Sequence, residues 1–346
     1  MYQYVKKTLI YLVLSMVILI FSYNISAQST TQNNSKTTAL FKAIRSGSII
    51  ELQEQLANGA NANDTLNSYS ALMAASLNGS VDQMKLLIDH GANVNYQSRD
   101  TTTALWLAVP DWDKTKLLLD HGADVNHKIQ GYGILVKLAA MPGTINIFHL
   151  LIDRGADLKH SAPDNYLLYN AASSGDTAIL GFVLRSGFHV NDSVAFGDYP
   201  INNSLTYRSF ATLKMLVDNG ANVNVRQWIP FGLDAFKGFT PLMFAAVAND
   251  RPSILYLLEH GADPNARNKQ GYTPLMLFEQ SDTDDPEMTL AFIKHGAIVS
   301  QEAPDGTDAL YYAKQKGNTA TVAFWSLRAI TSKLERIAAA VPRFCG

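Results

Sequence analysis

Cysteine is almost absent from this chain of 346 residues: its one cysteine, Cys345, lies next to the C-terminal residue. A single thiol cannot form an internal disulfide, so the sequence excludes the small secreted folds that depend on disulfides. We expect Cys345 to be an inert thiol of the tail. The alternative that the sequence leaves open is a disulfide with another molecule, including a disulfide-linked dimer, in an oxidising compartment.

An excess of charge of either sign is also absent. The chain contains 28 lysines and arginines against 30 aspartates and glutamates, which gives a formal net charge of −2 at pH 7. No basic stripe stands out, and a mildly acidic chain binds nucleic acid poorly. We therefore expect no nucleic-acid partner.

Sequence motifs of catalysis are missing as well. The chain has no G-x-S-x-G, no G-x-x-x-x-G-K-[ST], no H-E-x-x-H and no C-x-x-C. These are the patterns of serine hydrolases, phosphate-binding loops, zinc proteases and thiol redox sites. The strand and glycine-rich turn of a dinucleotide site are also absent. We therefore expect no enzymatic activity and no cofactor.

One long apolar run occurs near the N-terminus, over residues 8–21, a length of 14. Lys6 and Lys7 precede it, and a stretch of small residues that ends at Ala27 follows it. This arrangement is typical of a secretory signal peptide, so we predict that residues 1–27 are removed by cleavage after Ala27. The alternative is an uncleaved membrane anchor, although the run is shorter than the roughly 17–25 residues that a spanning helix needs.

The end of this segment also predicts the compartment. Ser26-Ala27-Gln28 is similar to the cleavage sites of bacterial signal peptides, and no cysteine lies near it for lipid attachment. We expect an exported bacterial protein that is periplasmic or secreted, and contact with a membrane only if residues 1–27 are retained. Residues 28–36 are mostly polar and are predicted to be a flexible lead-in.

A dipeptide recurs along the rest of the chain at a nearly constant interval. Gly-Ala begins at residues 59, 91, 122, 155, 220, 261 and 296, and Gly187-Phe188 fills the one gap. The steps between successive glycines are 32, 31, 33, 32, 33, 41 and 35. A period near 33 indicates one supersecondary unit that is copied along an axis, rather than a single globular core.

The copy that ends at Gly261 shows what one unit contains. Thr240 is typical of a residue that caps a helix, Pro241 is typical of the first helical turn, and Gly261 of a left-handed helix end. Apolar residues at helical spacing predict two packed helices, with Leu242, Ala245 and Ala246 in the first and Ile254, Leu257 and Leu258 in the second.

These elements resemble the ankyrin repeat, whose pattern includes a T-P-L-H opening and a G-A-D-x-N close. Residues 240–243 and 273–276 repeat the opening as T-P-L-M, and residues 261–265 give the close as G-A-D-P-N. The resemblance implies an all-α fold, an ankyrin-repeat α-solenoid of about nine helix-pair units with short hairpin projections. The array would span residues 37–328, followed by a C-terminal helical cap and tail over residues 329–346.

Methionine replaces the family's histidine in several copies, at Met73, Met243 and Met276. We expect methionine to fill the apolar gap at this position. Whether anything replaces the hydrogen bonds of that histidine is left open.

Four histidines share a different position, directly before the Gly-Ala pair. A basic group in the last turn of a helix interacts favourably with the final carbonyls, so we expect helix capping. A tetrahedral metal site needs three or four ligands, and no convincing third ligand accompanies any two of these histidines. We therefore expect no metal ion. The four residues are His90, His121, His260 and His295.

An acidic run lies between the two predicted helices of the eighth unit. It lacks the glycine and the spaced ligands of a calcium-binding loop, so we expect a solvated acidic turn. The acids are Asp282, Asp284, Asp285 and Glu287.

The step of 41 residues that ends at Gly261 exceeds the period of 33 by eight. The surplus falls in residues 225–237, which include Trp228, Phe231 and Phe236. Exposed aromatic residues are typical anchors of protein interfaces. Two alternatives stay open: the projection is a binding element, or it folds down onto its neighbours.

Other candidate contact residues lie at variable positions of the repeat. The third unit is short by about two residues, and we expect its Trp106 to be in the core and its Trp112 to be at the surface. Aromatic residues and arginine are typical of interfaces. The predicted partner-binding residues are Leu77, Tyr96, Arg99, Trp112, Tyr207, Trp228, Phe231 and Phe236.

The function that these features favour is binding without catalysis. The resemblance implies a rigid concave face of hairpin tips and first helices, which can bind a partner at a low cost in conformational entropy. We expect a monomeric scaffold that binds another protein. The alternatives are an inhibitor, immunity or accessory protein that masks an enzyme or toxin, a membrane-tethered assembly factor, and a hydrolase or metal enzyme, for which the sequence shows no convergent polar groups.

Overall fold

The computed structural model describes residues 35–194, 197–228 and 236–327. The chain divides into two compact units. The N-terminal unit ends at Gln130, and the C-terminal unit begins at Gly131.

Several predictions concern residues outside these ranges. They are the signal peptide over residues 1–27, most of the lead-in, the tail over residues 329–346 with Cys345, and Phe231 of the long projection. Within the described ranges, no helix combines the length and the apolar content needed to cross a membrane.

The described part of the N-terminal unit consists of three helix pairs and short hairpin strands. Its elements are α1 (Ser35–Ser46), α2 (Ile49–Ala57), β1 (Thr65–Leu66), β2 (Tyr69–Ser70), α3 (Ala71–Asn78), α4 (Val81–Asp89), α5 (Ala104–Ala108), α6 (Trp112–Asp120) and β3 (Lys128–Ile129). Strands β1 and β2 pair antiparallel, with Thr65 opposite Ser70. The first helices α1, α3 and α5 pack in one layer, and the second helices α2, α4 and α6 pack in another.

The described part of the C-terminal unit contains six helix pairs. Its elements are β4 (Tyr132–Gly133), α7 (Ile134–Ala139), α8 (Ile145–Asp153), α9 (Tyr166–Ser173), α10 (Thr177–Arg185), α11 (Pro200–Thr206), α12 (Phe210–Asp218), α13 (Pro241–Val247), α14 (Arg251–Glu259), α15 (Pro274–Glu279), α16 (Pro286–Lys294), α17 (Ala309–Lys316) and a last helical stretch over residues 319–327. The odd-numbered helices from α7 to α17 form one layer, and the even-numbered helices from α8 to α16 form the other. The predicted all-α class and number of repeats are confirmed.

The core of each repeat lies between these two layers. In the repeat of α13 and α14, Leu242, Ala245, Ile254 and Leu257 are completely buried, as predicted. The small alanine lets the neighbouring helices approach closely. Truncation of a buried leucine to alanine typically costs about 2–5 kcal/mol, so these contacts stabilise the pair.

Glycine and histidine together end the second helices. The φ angle of Gly261 is 84° and that of Gly296 is 94°, in the left-handed region that favours glycine. The histidine before each glycine donates its Nδ1–H to the carbonyl four residues earlier, which also accepts the backbone N–H of the same histidine, so the ring is fixed against the last turn. The predicted capping role is confirmed, with distances of 2.8, 2.8, 2.7 and 2.9 Å for His90, His121, His260 and His295.

Methionine replaces the family's histidine as a hydrogen-bond acceptor as well as an apolar filler. The backbone N–H of Ser70 donates to Sδ of Met73 at 3.5 Å, and that of Thr273 donates to Sδ of Met276 at 3.4 Å. In return, each hydroxyl accepts the backbone N–H of its methionine at 3.2 Å. The thioether is a weak acceptor, but the reciprocal arrangement is that of a capping box. The same sulfur contact recurs at Met243, at 3.5 Å.

An asparagine ladder links consecutive repeats. Nδ2 of Asn63 donates to the carbonyl of Gly91 at 2.8 Å, and Oδ1 of Asn63 accepts the N–H of Asn93 at 2.7 Å. One copy lacks this asparagine. Lys159 stands at the equivalent position, and its ammonium group cannot accept the backbone N–H as Oδ1 of asparagine does. The same pair of bonds recurs at Asn95, Asn191, Asn224 and Asn265.

The acidic run between α15 and α16 differs from the predicted solvated turn. Asp285 is buried, caps α16 and pairs with Arg251 at 2.7 Å. Asp284 accepts the backbone N–H groups of Ala320 and Thr321 at 2.6 and 2.9 Å. The prediction of a solvated turn was wrong for Asp285, which is buried, whereas Asp284 is exposed although its carboxylate caps a helix start.

Trp106 also differs from its prediction. It is the third residue of α5, where its backbone N–H donates to Oγ1 of Thr103 at 3.3 Å. Its side chain is half-buried rather than enclosed in the core.

Candidate protein-binding surface

Four of the predicted contact residues lie in the N-terminal unit. Leu77 is 40% exposed near the end of α3, and Trp112 is 43% exposed at the start of α6. Tyr96 is half-buried and Arg99 is exposed, both in the connection between α4 and α5. They lie on three separate elements, and within residues 35–130 no hydrogen bond or ring contact joins any two of these side chains. Their role in binding stays a prediction.

In the C-terminal unit, side chains from successive repeats form a continuous chain of contacts. The rings of Tyr132 and Tyr166 meet edge to face, with centroids 5.3 Å apart, and those of Tyr166 and Tyr169 are 6.0 Å apart. The hydroxyl of Tyr169 donates to Oδ2 of Asp198 at 2.7 Å. Tyr132 precedes α7, two tyrosines lie on α9, and Asp198 precedes α11. These four residues are named the tyrosine strip.

Burial and hydrogen bonding set the charge states of the strip. Burial raises the pKa of Tyr166 to about 12. Burial also raises the pKa of Tyr169, and the neighbouring Asp198 carboxylate raises it further. Burial raises the pKa of Asp198, against hydrogen bonds from Tyr169, the Tyr199 backbone and Asn202. Both tyrosines are therefore neutral near pH 7, and the Tyr169 hydroxyl is fixed as a donor.

Tyr207 extends the strip at the end of α11. Its side chain is 43% exposed, and partial burial raises its pKa. It lies close enough to Tyr169 for the phenol of Tyr207 to contribute to the raised pKa of Tyr169. One of the predicted contact residues is thereby brought next to the strip.

An extended segment presents Trp228 to solvent. Val225 and Gln227 are buried, whereas Arg226 and Trp228 are exposed. This alternation is that of an extended chain, in which successive side chains point to opposite sides. Arg226 and Trp228 therefore lie on the same, exposed side of the segment.

The backbone beside Asp198 supports Trp228. The N–H of Trp228 donates to the carbonyl of Gly197 at 3.4 Å. A Cβ atom on Gly197 would lie 3.3 Å from Cβ of Trp228, so a glycine permits this close approach. The ring of Trp228 is 58% exposed, and Nζ of Lys237 lies 6.0 Å from its centroid, the outer limit of a cation–π contact. Trp228 therefore continues the surface that begins at the tyrosine strip.

Backbone hydrogen bonds close the base of the long projection. The N–H of Gln227 donates to the carbonyl of Phe239 at 2.9 Å, and the N–H of Gly238 donates to the carbonyl of Gln227 at 2.9 Å. The two described ends of the projection are thus joined by hydrogen bonds.

The predicted residues of this projection separate into two kinds. Phe236 stacks on Phe244 of α13 with centroids 6.0 Å apart and meets Phe239 edge to face at 5.2 Å. Phe236 therefore packs onto its neighbours, while Trp228 stays exposed. Phe231 lies outside the described residues.

Sequence analysis missed all four residues of the tyrosine strip. Tyr132 lies directly before the N-cap residue of its helix, as do Tyr69 and Tyr272 in other repeats. An alignment of the copies on their helix starts, rather than on Gly-Ala, would have revealed this column. The contact of Tyr169 with Asp198 joins two copies through side-chain orientation, and no sequence signal identifies it.

The chemistry of this surface is that of non-covalent recognition. The strip and Trp228 offer aromatic faces, phenol hydroxyls and one hydrogen-bonded carboxylate, which suit a partner with both apolar and polar groups. Within the described ranges, no group of three or more histidines, cysteines, aspartates or glutamates lies close enough to hold a metal ion.

Comparison with known proteins addresses the family directly. The sequence model of the family described as Ankyrin repeats (3 copies) matches residues 11–98, 40–129, 72–162, 168–268 and 242–324. An ankyrin repeat protein of Acanthamoeba polyphaga mimivirus is 32% identical over 263 residues, which are 71% of this chain and 33% of that protein.

Two animal relatives match shorter stretches. Ankyrin repeat and SOCS box protein 3 of Homo sapiens is 31% identical over 105 residues, 30% of this chain and 19% of that protein. The Notch-regulated ankyrin repeat-containing protein of Homo sapiens is 32% identical over 88 residues, 24% of this chain and 77% of that protein. This chain spans between 19% and 38% of the length of the first relatives. These relatives are animal or viral, so the bacterial origin and the export stay predictions. Because the family model matches most of its length, the chain belongs to the ankyrin-repeat family.

Proposed function

We propose that this protein is a non-enzymatic scaffold that binds another protein through the tyrosine strip and Trp228 of its C-terminal unit. Trp228 carries the proposal, since its ring is 58% exposed although its backbone is held at Gly197. Large aromatic side chains supply much of the binding energy of protein interfaces. Family membership supports the proposal, because ankyrin repeats generally mediate protein–protein interaction.

The side chains of the tyrosine strip are already ordered in the free protein, which favours binding at this surface. Ring contacts and the hydrogen bond to Asp198 already hold Tyr166 and Tyr169. An interface side chain that is immobilised on binding costs about 0.5–1.5 kcal/mol in conformational entropy. A strip that is ordered in the free protein avoids most of this cost, so more of its contact energy appears as affinity.

The other predicted contact residues have a smaller place in this proposal. Tyr207 lies beside the strip and is proposed as part of it. Leu77, Tyr96, Arg99 and Trp112 stay predictions, as separate positions in the N-terminal unit.

We propose in addition that the protein acts after export, as a monomer in the periplasm or outside the cell. The support is the pattern of Lys6, Lys7, the apolar residues 8–21 and the small residues before Gln28. Mass measurement of the exported protein tests this, with cleavage after Ala27 expected. A mature mass that still includes residues 1–27 would indicate a membrane anchor instead. Light scattering of the purified protein tests the monomeric state.

Affinity capture with matched variants tests the interaction. The test variant combines Tyr166→Ala with Trp228→Ala. The control is Phe210→Ala, an aromatic residue that is 37% exposed on α12 in the other helix layer. We expect the test variant to weaken capture of any specific partner by roughly 2 kcal/mol, or about thirtyfold, and the control to retain it. Equal capture by both variants, with melting temperatures unchanged, would contradict the proposed surface.

A further inference from the structure

Positive charge accumulates on two neighbouring hairpins of the C-terminal unit. Residues 225–240 and 266–272 contain four cations and one acid, Asp234, which lies outside the described residues. The chain as a whole has a net charge of −2, so without these four cations, which contribute +4, the rest carries −6. The local sign is thus opposite to that of the remaining chain. The cations are Arg226, Lys237, Arg267 and Lys269.

Hydrogen bonds hold these cations side by side. Nη1 of Arg226 donates to the carbonyl of Arg267 at 2.6 Å, which places the first guanidinium against the second hairpin. The N–H of Lys269 donates to the carbonyl of Lys237 at 3.0 Å. The ammonium of Lys237 in turn lies 6.0 Å from the centre of the Trp228 ring. The two hairpins thus carry like charges next to each other, and an anion bound among them would be favoured.

Three of these cations, Arg226, Lys237 and Arg267, contact neutral groups within the described ranges. Arg226 donates to a main-chain carbonyl, and Nη1 of Arg267 donates to the carbonyl of Glu302 at 2.8 Å. Lys237 contacts an aromatic ring. The carboxylate of Asp305, in the next hairpin, accepts hydrogen bonds from its own loop. A guanidinium that donates to neutral acceptors keeps its full charge, and Arg226, which donates from Nη1, keeps most of its five N–H donors. Arg267 uses more of its donors, since the side-chain oxygen of Gln301 also accepts from its Nε and Nη2.

We propose that Arg226, Trp228, Lys237 and Arg267 form a basic-aromatic patch that binds an acidic segment of the partner protein. This inference rests on the proposed function and specifies the chemistry of the partner. The Arg226 guanidinium can pair with a carboxylate through two parallel hydrogen bonds, and Arg267 adds a second positive charge beside it. The exposed ring of Trp228, between them and the tyrosine strip, takes an apolar side chain that lies between the acids.

A short acidic segment fits the charge distribution better than a nucleic acid does. A long polyanion would extend beyond the patch onto a chain whose remaining charge is −6, and that charge would repel it. A segment with a few carboxylates next to an apolar residue matches the size of the patch and avoids this repulsion.

Binding of defined probes to the full chain tests the proposal. The probes are a labelled glutamate-rich peptide that contains a leucine, its glutamine counterpart of equal length, and a single-stranded oligonucleotide. The test variant combines Arg226→Glu with Lys237→Glu. The control combines Arg185→Glu with Lys294→Glu, which makes the same change in net charge at the ends of two second helices. Melting curves check the folding of both variants.

We expect the glutamate peptide to bind the parent at least tenfold more tightly than the glutamine peptide, with affinity that falls as salt rises. The test variant should lose about tenfold in affinity and the control should lose little. Equal binding of the two peptides, or equal effects of the two variants, would overturn the proposal that the partner segment is acidic. Tighter binding of the oligonucleotide than of the glutamate peptide would overturn the choice of a protein segment. If the charge reversal leaves capture of a native partner intact while Trp228→Ala abolishes it, the proposed function survives and this inference fails.

Discussion

Asn224 is hydrogen-bonded to the backbone of Gly261, which lies 37 residues further along the chain. Its Nδ2 donates to the carbonyl of Gly261 at 2.9 Å, and its Oδ1 accepts the N–H of Asp263 at 2.8 Å. These two bonds belong to the asparagine ladder, although they span the longest step between repeats, 41 residues instead of about 33. The long projection therefore leaves the stacking of the repeats unchanged, and its additional residues are available for another role.

Replacement of Asn224 by alanine tests the ladder. The variant loses both hydrogen bonds and leaves the Gly261 carbonyl to water, so we expect the free energy of unfolding to fall by about 1–2 kcal/mol. Chemical denaturation gives this value. Asn78→Ala, at the exposed end of α3, is the control and should change stability little. Equal effects of the two substitutions would show that the ladder contributes nothing to stability.

Gly261 tests the geometry of the helix ends. Gly261→Val should lower the free energy of unfolding by about 1 kcal/mol or more, because a β-branched residue strains at a φ of 84°. No atom lies within 4 Å of a Cβ placed there, so the cost comes from the backbone and not from a clash. Gly261→Asn should cost less, since asparagine tolerates this conformation. Denaturation curves of the valine variant and the parent that coincide would contradict this account.

Glu279 is a buried acid in the last repeats that the sequence did not single out. It is 1% exposed, and Oε1 accepts the Thr289 hydroxyl at 2.6 Å. Burial raises its pKa from 4.5 to about 7, against hydrogen bonds from Thr289 and Asn318, and the acids Asp284 and Asp285 raise it further. The folded state therefore holds this proton more tightly than the unfolded state does.

The pH dependence follows from this difference. Between pH 4.5 and about 7 the folded state binds more protons than the unfolded state, so the contribution of Glu279 to stability is greatest below pH 4.5 and is lost as pH rises through 7. The loss is on the order of 3 kcal/mol. Unfolding measured across this range should show a negative slope that Glu279→Gln reduces, while Asp198, whose pKa burial also raises, contributes in the same direction. An unchanged slope in the glutamine variant would assign it to other groups.

Trp228 and Phe236 should respond in opposite ways to replacement by alanine. Phe236→Ala removes a ring that packs on Phe239 and Phe244, so we expect a loss of about 1–2 kcal/mol in stability and retained partner binding. Trp228→Ala removes an exposed ring and should weaken binding with little effect on the melting temperature. Both quantities are measured on each variant. The reverse pattern would mean that the Trp228 side chain is structural.

The repeat architecture was predictable because it depends on local chemistry. Glycine at the helix end, histidine before it and proline in the first helical turn each act within a few residues, and Gly261, His260 and Pro241 lie as predicted. The caps of Asp284 and the contact of Tyr169 with Asp198 were not predictable. Each joins residues about thirty positions apart in different copies, where the period gives the alignment of the repeats but not the orientation of side chains.

Oxidative footprinting of the protein with and without its captured partner tests the central claim most directly, because it reports the solvent exposure of individual aromatic rings. The account predicts that Trp228, Tyr166 and Tyr207 become protected when the partner binds. Phe210, on the other helix layer, should be labelled equally in both states. Protection of Phe210 with unchanged labelling of Trp228 and Tyr166 would place the interface on the second helices and contradict the account.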